Sequence, residues 1–370
     1  MIQDVGVPSA PERIAVAMSG GVDSSVAALL LRRQERDLVG LSLHLYDAGG
    51  GGPERFGRCC SPRDFLDARR VADRLGFPFY VLHAEEEFRR FVLEDFVSEY
   101  SAGRTPLPCA HCNSEIKFGE LLRRAKGLGC GRVATGHYAR IRTDAATGRT
   151  RLLRARDRQK DQTYFLFGLT PEQLDRSLFP VGDLTKEEVR RLASEAGLPV
   201  AHKPESMDIC FLSSDGYRGF LHRALGEAAP SGGEFVDREG RVLGRHGGIH
   251  RFTVGQRRGL GLPGERRWYV LEIREKERQV VLGREEEQYS ASCSVPRPNW
   301  IGVDPPRGNL EAVVQIRHRH PGCEATLEPG GNGAIRIRFR SPQRAVTPGQ
   351  AAVFYREDEV LGGGFIGSAH

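Results

Sequence analysis

Near the start of the chain, Ser19-Gly20-Gly21-Val22-Asp23-Ser24-Ser25 combines residue types that an anion site needs. The paired glycines let backbone approach a ligand with no Cβ in the way, and the serines add hydroxyl donors. The apolar run Ile14 to Met18 precedes this stretch and the apolar-periodic run Val26 to Leu31 follows it, so the pattern reads strand, tight turn, helix. Free N–H groups of the first helical turn then face the ligand, and the helix dipole favours negative charge there. Nucleotide phosphate suits this chemistry, with Ala17, Met18, Ser19, Gly20, Gly21, Val22, Asp23 and Ser24 as the binding loop. The Gly-Lys-Ser/Thr ending of a Walker A loop is missing, as is G-x-G-x-x-G, so neither γ-phosphate transfer nor dinucleotide binding is the first choice. A plainer reading makes Gly20-Gly21 a turn and Ser24 an ordinary N-cap. Asp23 either favours the helix dipole or helps hold Mg²⁺ beside the phosphates.

The second chemical signal is thiol. Of eight cysteines, Cys109 and Cys112 stand in Leu107-Pro108-Cys109-Ala110-His111-Cys112-Asn113, and Cys210 in Asp208-Ile209-Cys210-Phe211. In a reducing compartment these are thiols, ligands or catalysts rather than a disulfide framework. Pro106 and Pro108 stiffen the loop, and Asn113 reads as the N-cap of a helix with Ile116, Leu121, Leu122 and Ala125 on one apolar face. Cys112 would then sit at a helix N-terminus with Lys117 one turn in, an environment that favours the thiolate.

Positioning these groups requires a layered fold. The runs Ile14 to Met18, Leu38 to Leu45, Phe79 to Leu82 and Arg132 to Thr135 read as strands, alternating with helical patterns at Arg63 to Leu75, Glu85 to Tyr100 and Ile116 to Ala125. This is a doubly wound parallel sheet, in which ligands sit at the carboxyl ends of strands. Leu43 and Gly136 are thereby placed to touch the nucleotide. The stretch Leu169 to Pro199 looks helical, with a capping box at Thr185 to Glu188. From about Gly216 the chain becomes rich in Gly and Arg, as a small mixed domain would. After Pro296 it alternates as a small antiparallel barrel does, at Ala312 to Ile316, Ala334 to Phe339, Ala351 to Tyr355 and Val360 to Ile366. The expected division is an α/β catalytic domain over 1–215, a central domain over 216–290 and a β-barrel over 291–370.

The 370 residues suffice for several cores, and the net charge of +6 with abundant arginine suits a polyanionic partner such as nucleic acid. Apolar runs fall short of the ~20 residues that span a bilayer, and the N-terminus lacks a signal-peptide pattern, so a cytoplasmic location with no membrane partner is expected. Gly49 to Gly52 reads as a mobile loop. Histidines 44, 83, 202, 246 and 250 read as structural groups, Glu85 to Glu87 and Glu285 to Glu287 as solvated faces, and Trp268-Tyr269 as core.

The first loop resembles the SGGxDS loop of ATP pyrophosphatases, which hold the pyrophosphate of ATP and activate a substrate by adenylation. With Gly103-Arg104-Thr105-Pro106, Cys112-Asn113, Ile116-Lys117-Phe118, Ala134-Thr135-Gly136-His137-Tyr138 and Lys160-Asp161-Gln162-Thr163-Tyr164-Phe165 added, the whole chain resembles the bacterial tRNA-uridine 2-sulfurtransferases. The likeness continues through Leu178-Phe179-Pro180-Val181-Gly182, Thr253-Val254-Gly255-Gln256-Arg257-Arg258-Gly259-Leu260-Gly261, Thr347-Pro348-Gly349-Gln350 and Leu361-Gly362-Gly363-Gly364. It implies ATP-dependent replacement of oxygen by sulfur at C2 of the wobble uridine, with tRNA and a sulfur-donor protein, such as a cysteine desulfurase or a relay, as partners. It also implies that Cys210 carries a persulfide and that Cys112 frees the sulfur, leaving a disulfide between them to be reduced. Leu107, Pro108 and Cys109 are implied near the target base, His137, Lys160, Asp161, Gln162, Arg317 and His318 against tRNA, and Gln350 beside the flipped region. The alternative is another adenylating pyrophosphatase, either an amide-forming ligase or a tRNA thiolase aimed at a different position.

One residue departs from a common pattern of that family. Many members carry Asp where Cys109 stands, so Cys109, Cys112 and Cys210 make a three-thiolate set able to hold an iron–sulfur cluster with one open iron. A Zn²⁺ site completed by His111, a redox pair and a merely structural Cys109 also remain open.

Overall fold

The computed structural model describes residues 12–46, 62–205, 209–226, 229–263 and 267–370. The Gly49 to Gly52 run, Cys59, Cys60 and Asp208 lie outside them. Two compact units form the chain: Met1–Arg89 with Cys112–Phe211, and Arg90–His111 with Leu212–His370.

The first unit is built on a five-stranded sheet. Its strands are β1 (Arg13–Ala17), β2 (Leu38–His44), β3 (Phe79–His83) and β4 (Cys130–Ala134). A separate antiparallel hairpin, β5 (Ala139–Thr143) with β6 (Thr150–Arg154), precedes the short edge strand β7 (Ser177–Leu178). The spatial order β3-β2-β1-β4-β7 is parallel throughout. β1 is buried at Ile14, Ala15 and Val16, so it can only be a central strand with both faces covered. Helices α1 (Val22–Arg33) and α2 (Pro62–Leu75) cover one face, where Val26, Ala27, Leu29, Val71 and Ala72 close the core with Val16 and Leu38. On the other face Leu121, Leu122 and Ala125 pack with Ala15, Val39, Leu41 and Val133.

The Leu169 to Pro199 stretch is two helices, Pro171–Asp175 and Lys186–Glu195, separated by β7 and turns. The capping box at Thr185 is formed: its hydroxyl accepts from the Glu188 amide and the Glu188 side chain accepts from the Thr185 amide.

The second unit contains two β-sheet bodies. One orders its strands β10-β11-β8-β9, from β8 (Gly233–Val236), β9 (Val242–His246), β10 (Tyr269–Arg274) and β11 (Gln279–Gly283). Tyr269 is buried there and Trp268 packs on the same cluster, as core residues. The other is antiparallel, with β12 (Tyr289–Val295), β13 (Asn299–Trp300), β14 (Leu310–Gln315), β15 (Cys323–Pro329), β16 (Ile335–Arg344), β17 (Ala351–Arg356), β18 (Glu359–Phe365) and β19 (Ser368–Ala369). These run in the order β19-β12-β16-β15-β14-β17-β18, with β13 also pairing β18. Inward residues alternate along β16, where Ile335, Ile337 and Phe339 are buried between exposed arginines. The fold is therefore an α/β parallel-sheet domain followed by a small mixed domain and an antiparallel barrel. Among the described residues no helix is long and apolar enough to cross a membrane.

Candidate active site

The carboxyl ends of β1, β2 and β4 open onto a cleft of about 230 Å³ in the first unit. Ala17, Met18, Ser19, Asp23, Ser24, Leu43 and Gly136 line it, joined by Asp64, Phe65, Lys117 and Thr135, and by His137 and Gln162. Gly20 and Gly21 form the turn beside it, and Val22 is the first residue of α1.

The turn is shaped for close approach. Gly20 has φ +69°, and a Cβ there would lie 2.3 Å from the Asp64 carbonyl oxygen. Gly136 comes equally near from the far side, since its Cβ would meet the Ser24 amide nitrogen at 2.5 Å. The N-cap of α1 is Gly21, not Ser24, and no side chain caps it. Ser24 instead sits in the first turn, donating from Oγ to the Gly21 carbonyl at 3.1 Å and accepting from the Ser19 amide at 3.3 Å. Leading amides of a helix thus face the cleft without a side-chain acceptor, which is what binds phosphate elsewhere.

Charged groups brace this loop from behind. Lys186 donates to both carboxylate oxygens of Asp23, at 2.7 and 2.9 Å, and Tyr138 donates its hydroxyl to the same group at 2.9 Å. Burial and the Asp23 charge push the Tyr138 phenol far above its ordinary range. Asp23 is therefore a structural anchor already matched by a cation. Lys203 donates to Asp64 and Asp67 at 2.6 and 2.7 Å, and these carboxylates hold its pKa up against burial. Glu205 receives Lys160 at 2.7 Å and Lys186 at 2.9 Å; the two lysines outweigh burial and keep it below the usual carboxylate range.

His137 packs against both Phe118 and Phe179, which also touch each other, with its Nδ1 2.8 Å from the Thr135 hydroxyl. Burial, then the Lys117 charge, pushes its pKa well below the ordinary histidine value, so the ring is neutral.

Cys112 is buried at the start of a π-helical segment, Cys112–Glu120, that continues as the α-helix Leu121–Gly127. The helical run begins at Pro108, so Cys112 does not lie at a helix N-terminus and Asn113 is not its cap. Asn113 instead donates from Nδ2 to the Phe165 carbonyl at 3.0 Å, tying this segment to the 3₁₀ turn Thr163–Phe165. The same π-helical segment delivers Lys117 into the cleft. Cys210 is half-buried, and Phe211 beside it packs edge-on against Phe88 with ring centres 6.0 Å apart.

The remaining sequence-derived positions fall in several places. Asp161 is a turn anchor that accepts from Arg154 at 2.8 Å and from the Thr163 hydroxyl. Gln162 accepts from the Tyr138 amide at 2.9 Å. In the second unit, Gln350 donates to the carbonyls of Thr105 and Pro106, each at 3.2 Å, so it secures the loop that leads to buried Leu107 and Pro108 and exposed Cys109. Arg317 and His318 are exposed beyond β14. Of Glu85 to Glu87, Glu86 is exposed, while the partly exposed Glu85 contacts His44 and His83 and Glu87 receives Arg124 at 3.1 Å. Lys186 and Lys203 escaped the sequence reading because the capping box accounts for Lys186 locally and Lys203 belongs to no recognisable motif. Their partners stand 163 and 183 residues away.

Comparison with known proteins follows the same lines. The family model described as the tRNA methyl transferase HUP domain matches residues 12–214. A tRNA methyl transferase PRC-barrel domain matches 218–284, and an aminomethyltransferase β-barrel domain matches 290–366. The tRNA-specific 2-thiouridylase MnmA of Acidobacterium capsulatum is 50% identical over 367 residues, covering 95% of this chain and 98% of its own. The proteins of the same name from Koribacter versatilis and Geobacter metallireducens are each 48% identical, covering 96% and 97% of this chain and 99% and 98% of their own.

Proposed function

The chain belongs to the tRNA-specific 2-thiouridylase family, and on that premise we propose that it replaces the C2 oxygen of the wobble uridine of tRNA with sulfur at the expense of ATP. The observation that carries this reading is the π-helical segment Cys112–Glu120, which joins a buried thiol to a lysine in the nucleotide cleft. The methyl transfer named in the matching family models needs no triphosphate cradle, whereas sulfur transfer through an adenylate needs one.

C2 of uridine is a poor electrophile because its oxygen is a poor leaving group. In the first step that oxygen attacks the α-phosphorus of ATP, and pyrophosphate departs. The open amides of α1, with Ser19 and Lys117, hold the phosphates and offset the charge that builds on the leaving group. ATP arrives with its own Mg²⁺ as part of the substrate. Asp23 is engaged by Lys186 and keeps the loop in shape instead of supplying a metal ligand.

In the second step sulfur replaces AMP. Cys210 takes a persulfide from a sulfur-donor protein, a desulfurase or a relay. The Cys112 thiolate attacks Sγ of Cys210 and expels hydrosulfide, which adds at C2 as AMP leaves. A Cys112–Cys210 disulfide remains, and an external thiol reduces it. Leu107, Pro108, Cys109 and Gln350 are assigned to the target base and its flipped neighbours. His137, Lys160, Asp161, Gln162, Arg317 and His318 are assigned to tRNA; of these, Lys160 and Arg317 are cations of the kind that positions phosphates.

A cluster on Cys109, Cys112 and Cys210 is the competing sulfur route. Those thiols supply soft ligands of the right kind for iron. Protein reconstituted anaerobically with iron and sulfide is expected to hold no acid-labile sulfide, and stoichiometric iron together with acid-labile sulfide would overturn the persulfide route.

The test of the function is nucleoside mass spectrometry on tRNA from cells lacking the protein. Wobble 2-thiouridine disappears and the wild-type chain restores it. Cys112→Ser and Cys210→Ser do not, although both still bind ATP. Restoration by either serine variant contradicts the assignment.

A further inference from the structure

In-register pairing of β2 with β3 sets His44 opposite His83 at the carboxyl ends of both strands. The Ala84 amide donates to the His44 carbonyl at 2.9 Å, which carries the pairing one residue further and fixes where Glu85 begins. Both imidazoles address a single oxygen: His83 Nδ1 is 2.9 Å from Glu85 Oε1, and His44 Nδ1 contacts the same atom. The two rings stand 5.4 Å apart at 67°. One ligand atom from each of the three residues lies within 4.8 Å of the others. Side-chain exposure rises from 17% at His44 through 39% at Glu85 to 77% at His83, so the group has a protein side and an open side.

Two imidazole nitrogens and one carboxylate oxygen are the donors that late first-row divalent ions select, commonly with a further position left for water. Calcium and magnesium favour oxygen-only shells. Tetrahedral zinc with bonds of about 2.0 Å holds its ligand atoms roughly 3.3 Å apart, so the three side chains need only rotate slightly outward to admit it. Rigid strand ends supply two of the ligands, which lowers the ordering cost of binding.

We propose that His44, His83 and Glu85 form a site for a divalent transition-metal ion, with Zn²⁺ the best match. The site does not depend on the thiolation reading and takes no part in the chemistry assigned above. It adjoins the nucleotide cleft through Phe65, whose ring lies 5.8 Å from that of His44 and which lines the cleft together with Leu43 and Leu45. A bound ion ties the ends of β2 and β3 to the helix that follows and stabilises the folded chain by mass action.

Thiolates in general also bind zinc and the chain has eight cysteines, so Co²⁺ is the informative probe: thiolate ligation gives an intense near-ultraviolet charge-transfer band that nitrogen and oxygen ligands do not. The full chain, stripped with chelator and kept reduced, is titrated with Co²⁺ alongside His83→Ala and Glu85→Gln. His83 is exposed and outside the cleft, so His83→Ala folds and its metal-free thiolation is unchanged. Wild type takes up one more equivalent than His83→Ala, without the thiolate band, and Co²⁺ raises the melting temperature of wild type more than that of His83→Ala. Glu85→Gln binds that equivalent about tenfold or more weakly, since losing a ligand costs at least as much as losing a ligand's supporting partner. Equal stoichiometry and affinity in all three proteins overturns the proposal, as does an extra equivalent that carries the thiolate band.

Discussion

The Lys203 ammonium lies 2.9 Å from the carbonyl oxygen of Gly20, so the segment leading to Cys210 is fastened to the turn that shapes the nucleotide cleft. Lys203 also neutralises Asp64 and Asp67, whose side chains are largely buried. Replacing Lys203 with Met removes the cation that Asp64 and Asp67 share, with Arg70 still 3.7 Å from Asp67, a loss of roughly 3 kcal/mol in stability at most. We expect a lower denaturation midpoint in urea, and a further fall in ATP affinity because Gly20 loses its tether. ATP affinity equal to wild type under conditions where the variant is fully folded would show that the tether is irrelevant to the cradle.

Gly20→Ala tests the turn itself. The added methyl group meets the Asp64 carbonyl at 2.3 Å, and the residue must hold φ +69°. An L-residue pays about 1 kcal/mol for that conformation before the clash is counted. Pyrophosphate release in the presence of tRNA should fall by about two orders of magnitude, since misplacing catalytic groups by 1 Å costs that much. Wild-type release rates in this variant would refute the placement of the phosphates at α1.

His137 makes stability depend on pH. The folded ring stays neutral because burial and Lys117 oppose its charge, whereas in the unfolded chain it takes up a proton near pH 6.5. The unfolded state therefore binds more protons below that pH. The contribution is fully present above about pH 6.5 and is lost as the pH falls toward the folded value. Urea unfolding at about pH 7.5 and about pH 5.5 should show a larger loss of stability in wild type than in His137→Gln. His246, His250 and His320 are shifted the same way by burial and remain in both proteins. An identical pH slope for the two would rule out this account of His137.

The parallel sheet was legible because β1, β2, β3 and β4 are short apolar runs set between helical periodicities, and because Ser19 to Ser25 has the composition of a phosphate turn. Of the barrel strands, β16 was legible from its alternation, whereas β17 and β18 are buried along nearly their whole length and read as short apolar runs between turns. The N-terminus of the Cys112 helix was not. Pro108 starts a helix as readily as it stiffens a loop, and Asn113 spends its amide on Phe165, 52 residues away, instead of on its own helix. The pairing of His44 with His83 was equally hidden: the two are neighbours only through the register of parallel strands, which leaves no fixed interval in sequence. Lys186 escaped for a similar reason, since it reads as the first residue of a capped helix and its partner Asp23 is on another element.

Asp23, Lys186, Glu205 and Lys160 alternate in sign along one line of contacts. Reversing any single member would set two like charges against each other in a half-enclosed place, so none of the four is free to change sign alone. Exchanging two neighbours only moves the conflict to the next link, so the signs can be inverted without repulsion only if all four residues change together.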